Sequence, residues 1–452
     1  MDCQISEFSK ILEISLPQKF ESRGTKTIQG ITTDTRSLQP REVFVALRGE
    51  NFDGHQFLKT AVDKGAIALI VETQNPQLDV PQLLVKDTLK AYQKIGRWWR
   101  DRFDIPIIGI TGSVGKTTTK EIIAAVLGTY GNVLKTQKNY NNEIGVPKTL
   151  FGLQPHHDFA VIEMAMRGRG EIAELTEIAW PTIGLITNVG TAHIGRLGSE
   201  EAIAQAKCEL LATMSPDSVA ILNADNERLM RTAATVWSGE TVTYGLESGD
   251  IQGKMLDSRT LEVNGRTFPL PLPGQHNASN FLAALAVTEV LKLDTTVLTQ
   301  GITVDLPGGR SRVHTLDSDI VLLDETYNAG LESMLAALTL LKETPGQRQI
   351  AVLGTMKELG EQSARLHQKV GQKASELALD GLWVLVDDPE AREIVTGASG
   401  VPTECFETHA ELVQYLRENL RSGDRVLFKA SNSVGLSRVV EEICRYLSDR
   451  NV

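Results

Sequence analysis

Residues Thr111-Gly112-Ser113-Val114-Gly115-Lys116-Thr117 set two glycines, a lysine and a threonine at the spacing of a phosphate-binding loop. The apolar run Ile107-Ile108-Gly109-Ile110 before them predicts a strand, and the residues from Lys116 to about Leu127 predict a helix. In that setting Gly112 and Gly115 let the backbone turn tightly with its N–H groups facing a phosphate. Lys116 can then reach the outer phosphates, and the Thr117 hydroxyl can bind Mg²⁺. The nucleotide contacts expected here are Thr111, Gly112, Ser113, Val114, Gly115, Lys116, Thr117 and Thr118. The commonest pattern also carries a glycine six residues before the lysine, a place that Ile110 occupies in this chain.

Three further side chains fall where they could join that loop. Glu163 ends the apolar run Phe159-Ala160-Val161-Ile162, so it sits at the C-terminal end of a strand, the edge at which open α/β sheets bind ligands. A carboxylate there holds Mg²⁺ or is simply solvated. His193 follows the strand Ile183 to Thr187 and the turn Asn188-Val189-Gly190-Thr191, which brings it to the same edge. Lys207 lies in a helix that Ser199 caps, with Glu200 and Glu201 in its first turn. Ile203, Ala206, Leu210 and Leu211 form the apolar stripe of that helix, and Lys207 falls on it. A buried, unpaired ammonium is disfavoured by as much as ~3–5 pKa units. A partner carboxylate, a phosphate or a chemical modification must therefore compensate, unless the side chain snorkels to the edge of the stripe.

Positioning these groups takes α/β architecture, and strand-like runs alternate with helical patterns throughout the chain. A first unit reads strand (Glu42 to Leu47), turn (Gly49 to Gly54), helix (His55 to Lys64), strand (Ala66 to Val71) and helix (Thr88 to Arg102), with a boundary near Asp104. A second holds the loop, strands at Phe159 to Ile162, Ile183 to Thr187 and Val219 to Leu222, an antiparallel excursion from Gly245 to Pro273, and a closing helix from Asn280 to Leu291. Gly308-Gly309 is the expected hinge, and a third unit carries strands at Ile320 to Leu323, Gln349 to Leu353, Gly381 to Val386 and Arg425 to Phe428. The expected domains are residues 1–103, 104–312 and 313–452, in keeping with 452 residues at roughly 150 per domain.

Composition excludes several classes. A net charge of −11 disfavours nucleic acid as a partner. Cys3, Cys208, Cys405 and Cys444 form no C-x-x-C pair, which fits a reducing cytosol better than a disulfide framework. Asp2, Glu7, Lys10 and Glu13 leave no signal-peptide core, and no apolar run is long enough to span a bilayer, so a cytoplasmic protein without membrane insertion is expected.

Several motifs together resemble the Mur ligase family, which builds the peptide stem of peptidoglycan, and specifically its branch that adds a dipeptide. They are Asn139-Tyr140-Asn141-Asn142-Glu143-Ile144-Gly145-Val146-Pro147, Glu163-Met164-Ala165-Met166 with Gly170-Glu171-Ile172, Asp324-Glu325-Thr326-Tyr327-Asn328-Ala329, and Gly354-Thr355-Met356-Lys357-Glu358-Leu359-Gly360. The resemblance covers nearly the whole chain. It implies a small N-terminal α/β domain for the UDP-sugar, a central P-loop mononucleotide-binding α/β domain for ATP, and a Rossmann-like C-terminal domain that closes over both.

Carried over by motif, Thr117 and Glu163 bind one Mg²⁺, while His193 and a carbamylated Lys207 serve a second. Lys116, Lys207, His193 and Glu163 are then the catalytic set. Asn277 and Asn280 match the adenine-side motif, Arg310 the arginine that meets the nucleotide on closure, and Asp324 with Glu325 the ribose side. Thr33, Asp34, Thr35, Arg36 and His55, with Asn139, Asn141 and Asn142, are the expected contacts to the UDP-substrate. Asn432 replaces an arginine usual in relatives, which removes an electrostatic contact assigned there.

The implied reaction joins D-alanyl-D-alanine to UDP-N-acetylmuramoyl-tripeptide through an acyl phosphate, using ATP and two Mg²⁺ ions, in a monomer. A sibling ligase adding diaminopimelate or lysine to the dipeptide precursor is the nearest rival. Its D-N-P-R motif is replaced here by Asp387-Asp388-Pro389-Glu390, which lacks the arginine. A phosphate-loop switch of the GTPase kind needs an N-K-x-D motif, and the chain has none.

Overall fold

The computed structural model describes residues 1, 3–16, 18–316 and 319–449. Three large sheets follow one another along the chain, each built mainly of parallel strands and interleaved with helices, beside two small two-stranded antiparallel ones. The fold class is therefore the expected one. The first sheet has four parallel strands in spatial order β1 (Gly30–Thr32), β2 (Glu42–Val45), β3 (Ala68–Val71) and β4 (Gln82–Leu84). The helix expected over His55 to Lys64 is broken into a 3-10 turn, Gly54–Phe57, and a short α1 (Leu58–Asp63). Its start is fixed by Asp53, whose carboxylate accepts from the His55 backbone N–H at 3.0 Å and lies 2.7 Å from His55 Nδ1. α2 (Thr88–Arg100) ties this unit to the next, since Arg100 donates to the carbonyls of Ala179 and Trp180.

The central sheet starts with β5 (Ile107–Thr111), all of whose residues are buried, because helices cover both faces of a parallel sheet. α3 (Lys116–Leu127), β6 (Val133–Lys135), α4 (Gly145–Leu150), β7 (Phe159–Glu163), α5 (Glu171–Ala179) and β8 (Ile183–Ile186) follow. The short helix α6 (Ile194–Leu197) leads into α7 (Glu200–Thr213), then β9 (Val219–Asn223) and β10 (Thr241–Gly245). β11 (Ile251–Asp257), β12 (Thr260–Val263) and β13 (Arg266–Pro269) form the expected antiparallel excursion. The strand order is β6-β7-β5-β8-β9-β10-β11-β12-β13. The chain leaves β5 toward β7 and returns on its other side at β8, so a crevice opens at the C-terminal end of β5. α8 (Gln275–Val290) begins at Gln275 rather than Asn280, because Gly274, at φ +97°, admits the chain to the helix earlier.

The third sheet has the order β14 (Arg312–Leu316), β15 (Ile320–Asp324), β19 (Asp424–Lys429), β16 (Arg348–Leu353), β17 (Gly381–Leu385) and β18 (Thr403–Phe406). Only β14 runs antiparallel to its neighbour. α9 (Leu331–Glu343) and α10 (Ser363–Glu376) pack beside it. One cluster of buried apolar residues runs from Ile5 and Val43 through Ile162 and Leu210 to Met334 and Leu353, so the three units share a continuous core. Among the described residues no helix is long and apolar enough to cross a membrane.

Candidate active site

The loop after β5 is clamped against the segment after β8. Ser113 N–H donates to the Asn188 carbonyl at 3.1 Å, and Val114 N–H to Asn188 Oδ1 at 3.0 Å. The Val114 carbonyl accepts from the Thr187 hydroxyl at 2.7 Å and Asn188 Nδ2 at 3.0 Å. Two positions in this turn have no room for a side chain. A Cβ on Gly112 would lie 1.9 Å from Thr187 Oγ1, and one on Gly115, at φ +83°, would lie 2.9 Å from Asn280 Oδ1. Ile110 stands where the commoner pattern has glycine because β5 is still running there, paired with Glu163 on one side and Leu185 on the other.

Lys116 folds back so that Nζ donates to the Gly112 carbonyl at 2.8 Å. Loss of water pushes its pKa below the ordinary lysine value, Glu163 opposes that, and Arg310 adds to it. Arg310 therefore reaches the loop from the far side of the hinge. Its guanidinium stacks on Tyr327, 3.6 Å from the ring centroid, and its buried Nε has no hydrogen-bond partner. Lys429 is buried beside them, 3.8 Å from Glu325 Oε2, and donates to the Asn328 carbonyl at 3.0 Å. Such a gathering of cations, one with an unmet donor, suits a polyphosphate.

Glu163 is 2 % exposed at the end of β7. The Thr117 hydroxyl donates to Oε2 at 2.9 Å, Asn141 Nδ2 donates to Oε1 at 2.8 Å, and Lys120 Nζ lies 3.8 Å from Oε2. A hydroxyl and a carboxylate are hard oxygen donors of the kind Mg²⁺ takes, so this pair fits one ion. Among the described residues no cluster of three or more His, Cys, Asp or Glu side chains gathers, which leaves most of such an ion's shell to phosphate and water.

His193 stands between β8 and α6 at φ +66°, with Nδ1 2.6 Å from Glu358 Oε2. Burial lowers its pKa, Glu358 opposes, and the positive charges of Lys116 and Lys207 lower it further. Ser199 caps α7 as expected, accepting from Ala202 N–H at 3.1 Å, and Lys207 is 2 % exposed within that helix. Burial drives the Lys207 amine well below the ordinary lysine value, Lys116 adds to that, and only the Cys208 thiol opposes it. No carboxylate among the described residues pairs with it, so its compensation must come from a ligand or a modification.

The remaining expected residues separate into groups. Asn280 accepts from the Thr119 hydroxyl at 3.0 Å and donates to Asn277 Oδ1 at 3.3 Å, so both asparagines back the phosphate loop. The Asp324 carboxylate is committed to its own turn, accepting from Thr326 N–H at 3.1 Å and its hydroxyl at 2.6 Å. Glu325 accepts from Ser311 N–H at 3.1 Å, beside the hinge. In the first unit Thr33, Asp34 and Thr35 are half-buried after β1 and Arg36 is exposed. Hydrogen bonds from Arg36 hold the Asp34 carboxyl down to about 2, and Lys148 of α4 adds a smaller pull. His55 is a structural bridge, its Nε2 accepting from Glu72 N–H at 2.9 Å. Asn142 Oδ1 accepts from Gly145 N–H at 2.9 Å, the Asn139 carbonyl accepts from Asn141 N–H at 2.8 Å, and the Asn141 side chain meets Glu163.

This arrangement has known counterparts. The family model for the Mur ligase middle domain matches residues 110–288, that for the Mur ligase glutamate ligase domain matches 309–432, and that for the Mur ligase family catalytic domain matches 27–97. The chain is 60% identical over 418 residues to the UDP-N-acetylmuramoyl-tripeptide–D-alanyl-D-alanine ligase of Synechocystis sp., covering 92% of each. The chain belongs to the Mur ligase family. It is also 35% identical over 431 residues to the ligase of the same name from Escherichia coli, covering 92% of this chain and 94% of that one. Among solved structures, MurF from Acinetobacter baumannii matches with a TM-score of 0.88 and 28% identity over 98% of this chain and 99% of that one. MurF ligase from Thermotoga maritima in complex with ADP matches at 0.84 and 30%, over 93% and 98%.

Four residues of this Mur ligase with no role evident from the sequence also shape the site. Asn188 braces the phosphate loop, and Lys120, one helical turn after Lys116, braces Glu163. Glu332 and Glu358 reach across from the third unit: Glu332 accepts from Thr191 N–H at 2.7 Å, and the Glu358 carbonyl accepts from Gly195 N–H at 3.1 Å. Lys120 could have been found from its i+4 spacing and Glu358 from its motif; the other two show only in three dimensions.

Proposed function

We propose that this Mur ligase joins D-alanyl-D-alanine to UDP-N-acetylmuramoyl-tripeptide while converting ATP to ADP and phosphate. The observation that carries the reading is the 60% identity, over 92% of the chain, to a ligase of that name. The ADP named in the complex of the Thermotoga maritima relative supports ATP as the nucleotide. Residues 1–103 take the UDP-sugar end, 104–312 the nucleotide and 313–452 the amine. The protein works as a cytoplasmic monomer.

The tripeptide's terminal carboxylate attacks the γ-phosphate, forming an acyl phosphate and releasing ADP. The dipeptide amine then attacks the acyl carbon, and phosphate leaves from the tetrahedral intermediate as the amine loses its proton. Mg²⁺ supplies the charge neutralisation that lets a carboxylate approach a triphosphate. Thr117 and Glu163 would hold one ion; His193 and Lys207 would hold another. The Lys207 amine, whose charged form burial disfavours, would add to CO₂ with loss of a proton and become a carbamate. Lys116 and Arg310 bind the transferring phosphoryl group, and the docked third unit excludes water that would hydrolyse the acyl phosphate.

The test is phosphate release with UDP-N-acetylmuramoyl-tripeptide, adding D-alanyl-D-alanine, diaminopimelate or lysine in turn. Release stimulated by the dipeptide alone is the expected result; release stimulated by a free amino acid overturns the assignment.

A further inference from the structure

We propose that Glu358 is a positioning residue for His193, so that the cation site at His193 is completed only when the third unit is docked on the central one. The inference rests on the reading of His193 as a Mg²⁺ ligand. Glu358 Oε2 lies 2.6 Å from His193 Nδ1, and Oε1 accepts from Arg196 Nη2 at 3.2 Å. An imidazole that donates its Nδ1–H to a carboxylate carries its lone pair on Nε2, and here Nε2 has no hydrogen-bond partner among the described residues. Metal-binding histidines as a rule donate their other ring N–H to an orienting acceptor, a carboxylate, a backbone carbonyl or a water. In this chain it comes from another unit, on the loop between β16 and α10.

That loop is a rigid support. Met356 N–H donates to His367 Nε2 at 2.9 Å, Lys357 N–H to Ser431 Oγ at 2.9 Å, and Lys357 Nζ to Asp388 at 2.7 Å. Glu358 is held at φ +66°, as is His193, a conformation L side chains retain only where their surroundings enforce it. At the other end of the His193 loop, Glu332 accepts from Thr191 N–H and from its hydroxyl. Docking thus fixes the ligand's tautomer and direction, and by linkage an ion at His193 favours docking.

The test is Mn²⁺ binding to the full chain with ADP, followed by electron paramagnetic resonance. Glu358→Ala weakens one of two bound ions by about 10–100-fold and leaves the ion at Thr117 and Glu163 unchanged. Glu358→Gln, whose side-chain carbonyl still accepts from Nδ1–H, recovers most of that affinity. His193→Ala weakens the same ion, and Glu358→Ala added to it has no further effect. Wild-type affinities in Glu358→Ala overturn the role of Glu358 even where His193→Ala weakens an ion. Wild-type affinities in His193→Ala overturn the ligand reading beneath it, and no recovery in Glu358→Gln overturns the orienting bond. Glu358→Asp, with its carboxylate drawn back by a methylene, gives the same comparison if the alanine variant does not fold.

Discussion

Lys207 shows how a single side chain can state a chemical requirement. Its place on the apolar stripe of its helix is legible in the sequence, and the structure buries it beside Lys116 with no countercharge among the described residues. If it acts as a carbamate, Lys207→Ala should lower turnover by more than the roughly 10–100-fold that losing an outer-shell partner costs. Short carboxylic acids added to that variant should restore part of the rate by filling the vacated position, and an absence of rescue counts against the carbamate. Lys116→Ala should abolish ADP formation, since no neighbouring cation replaces it within the phosphate loop; near-normal turnover would remove the loop from the mechanism. Asn141, expected among the UDP-substrate contacts, also donates its amide to Glu163 at 2.8 Å, a contact that order along the chain does not show.

At the scale of elements, strands buried on both faces were legible. β5, β7, β8, β9, β16 and β17 are near-continuous apolar runs, as central parallel strands must be. The edge strands β14 and β18 went unread, since mostly exposed positions give them no apolar pattern. A second kind of element was equally hidden: the loop that carries Glu358, which is held by a histidine. His367 is buried, accepts from Met356 N–H at Nε2, and has Nδ1 2.8 Å from the Ser363 carbonyl, so only the neutral ring satisfies both contacts. Burial lowers its pKa below 6.5 in the folded chain. As pH falls through that unperturbed value, the unfolded chain takes up the proton first. The stability contributed by the neutral ring is therefore full above 6.5 and is lost toward the lower folded pKa. Thermal melting should show stability declining as pH falls below 6.5, and His367→Gln should start lower and decline less. A variant that declines as steeply as the wild type would assign the pH dependence to other buried histidines.

Across the whole molecule, the decisive feature is that the central and third units meet at one site. Their alternation of strands and helices could be read in advance; their docking could not, because its contacts join residues more than a hundred positions apart, such as His193 and Glu358. Arg310 lies just beyond the hinge, close enough to the phosphate loop for its charge to act on Lys116. Arg310→Ala should therefore lower turnover more than it weakens the UDP-substrate, and the opposite pattern in a binding titration contradicts its role. Gly195 allows a test of docking that touches no ligand. A Cβ there would lie 2.6 Å from the Gly360 nitrogen and 2.8 Å from the Glu358 carbonyl oxygen, both backbone atoms that cannot swing aside. Gly195 belongs to α6, where alanine is locally the better helix former, so Gly195→Ala leaves its own element sound and obstructs only the approach of the third unit. Turnover should fall at least about tenfold, equivalent to roughly 1.4 kcal/mol on the barrier, while affinity for the UDP-substrate holds. Small-angle scattering in the presence of ADP should report a larger radius of gyration than for the wild type. Unchanged scattering together with unchanged turnover would mean that docking and chemistry proceed without the close backbone approach between Gly195 and Glu358.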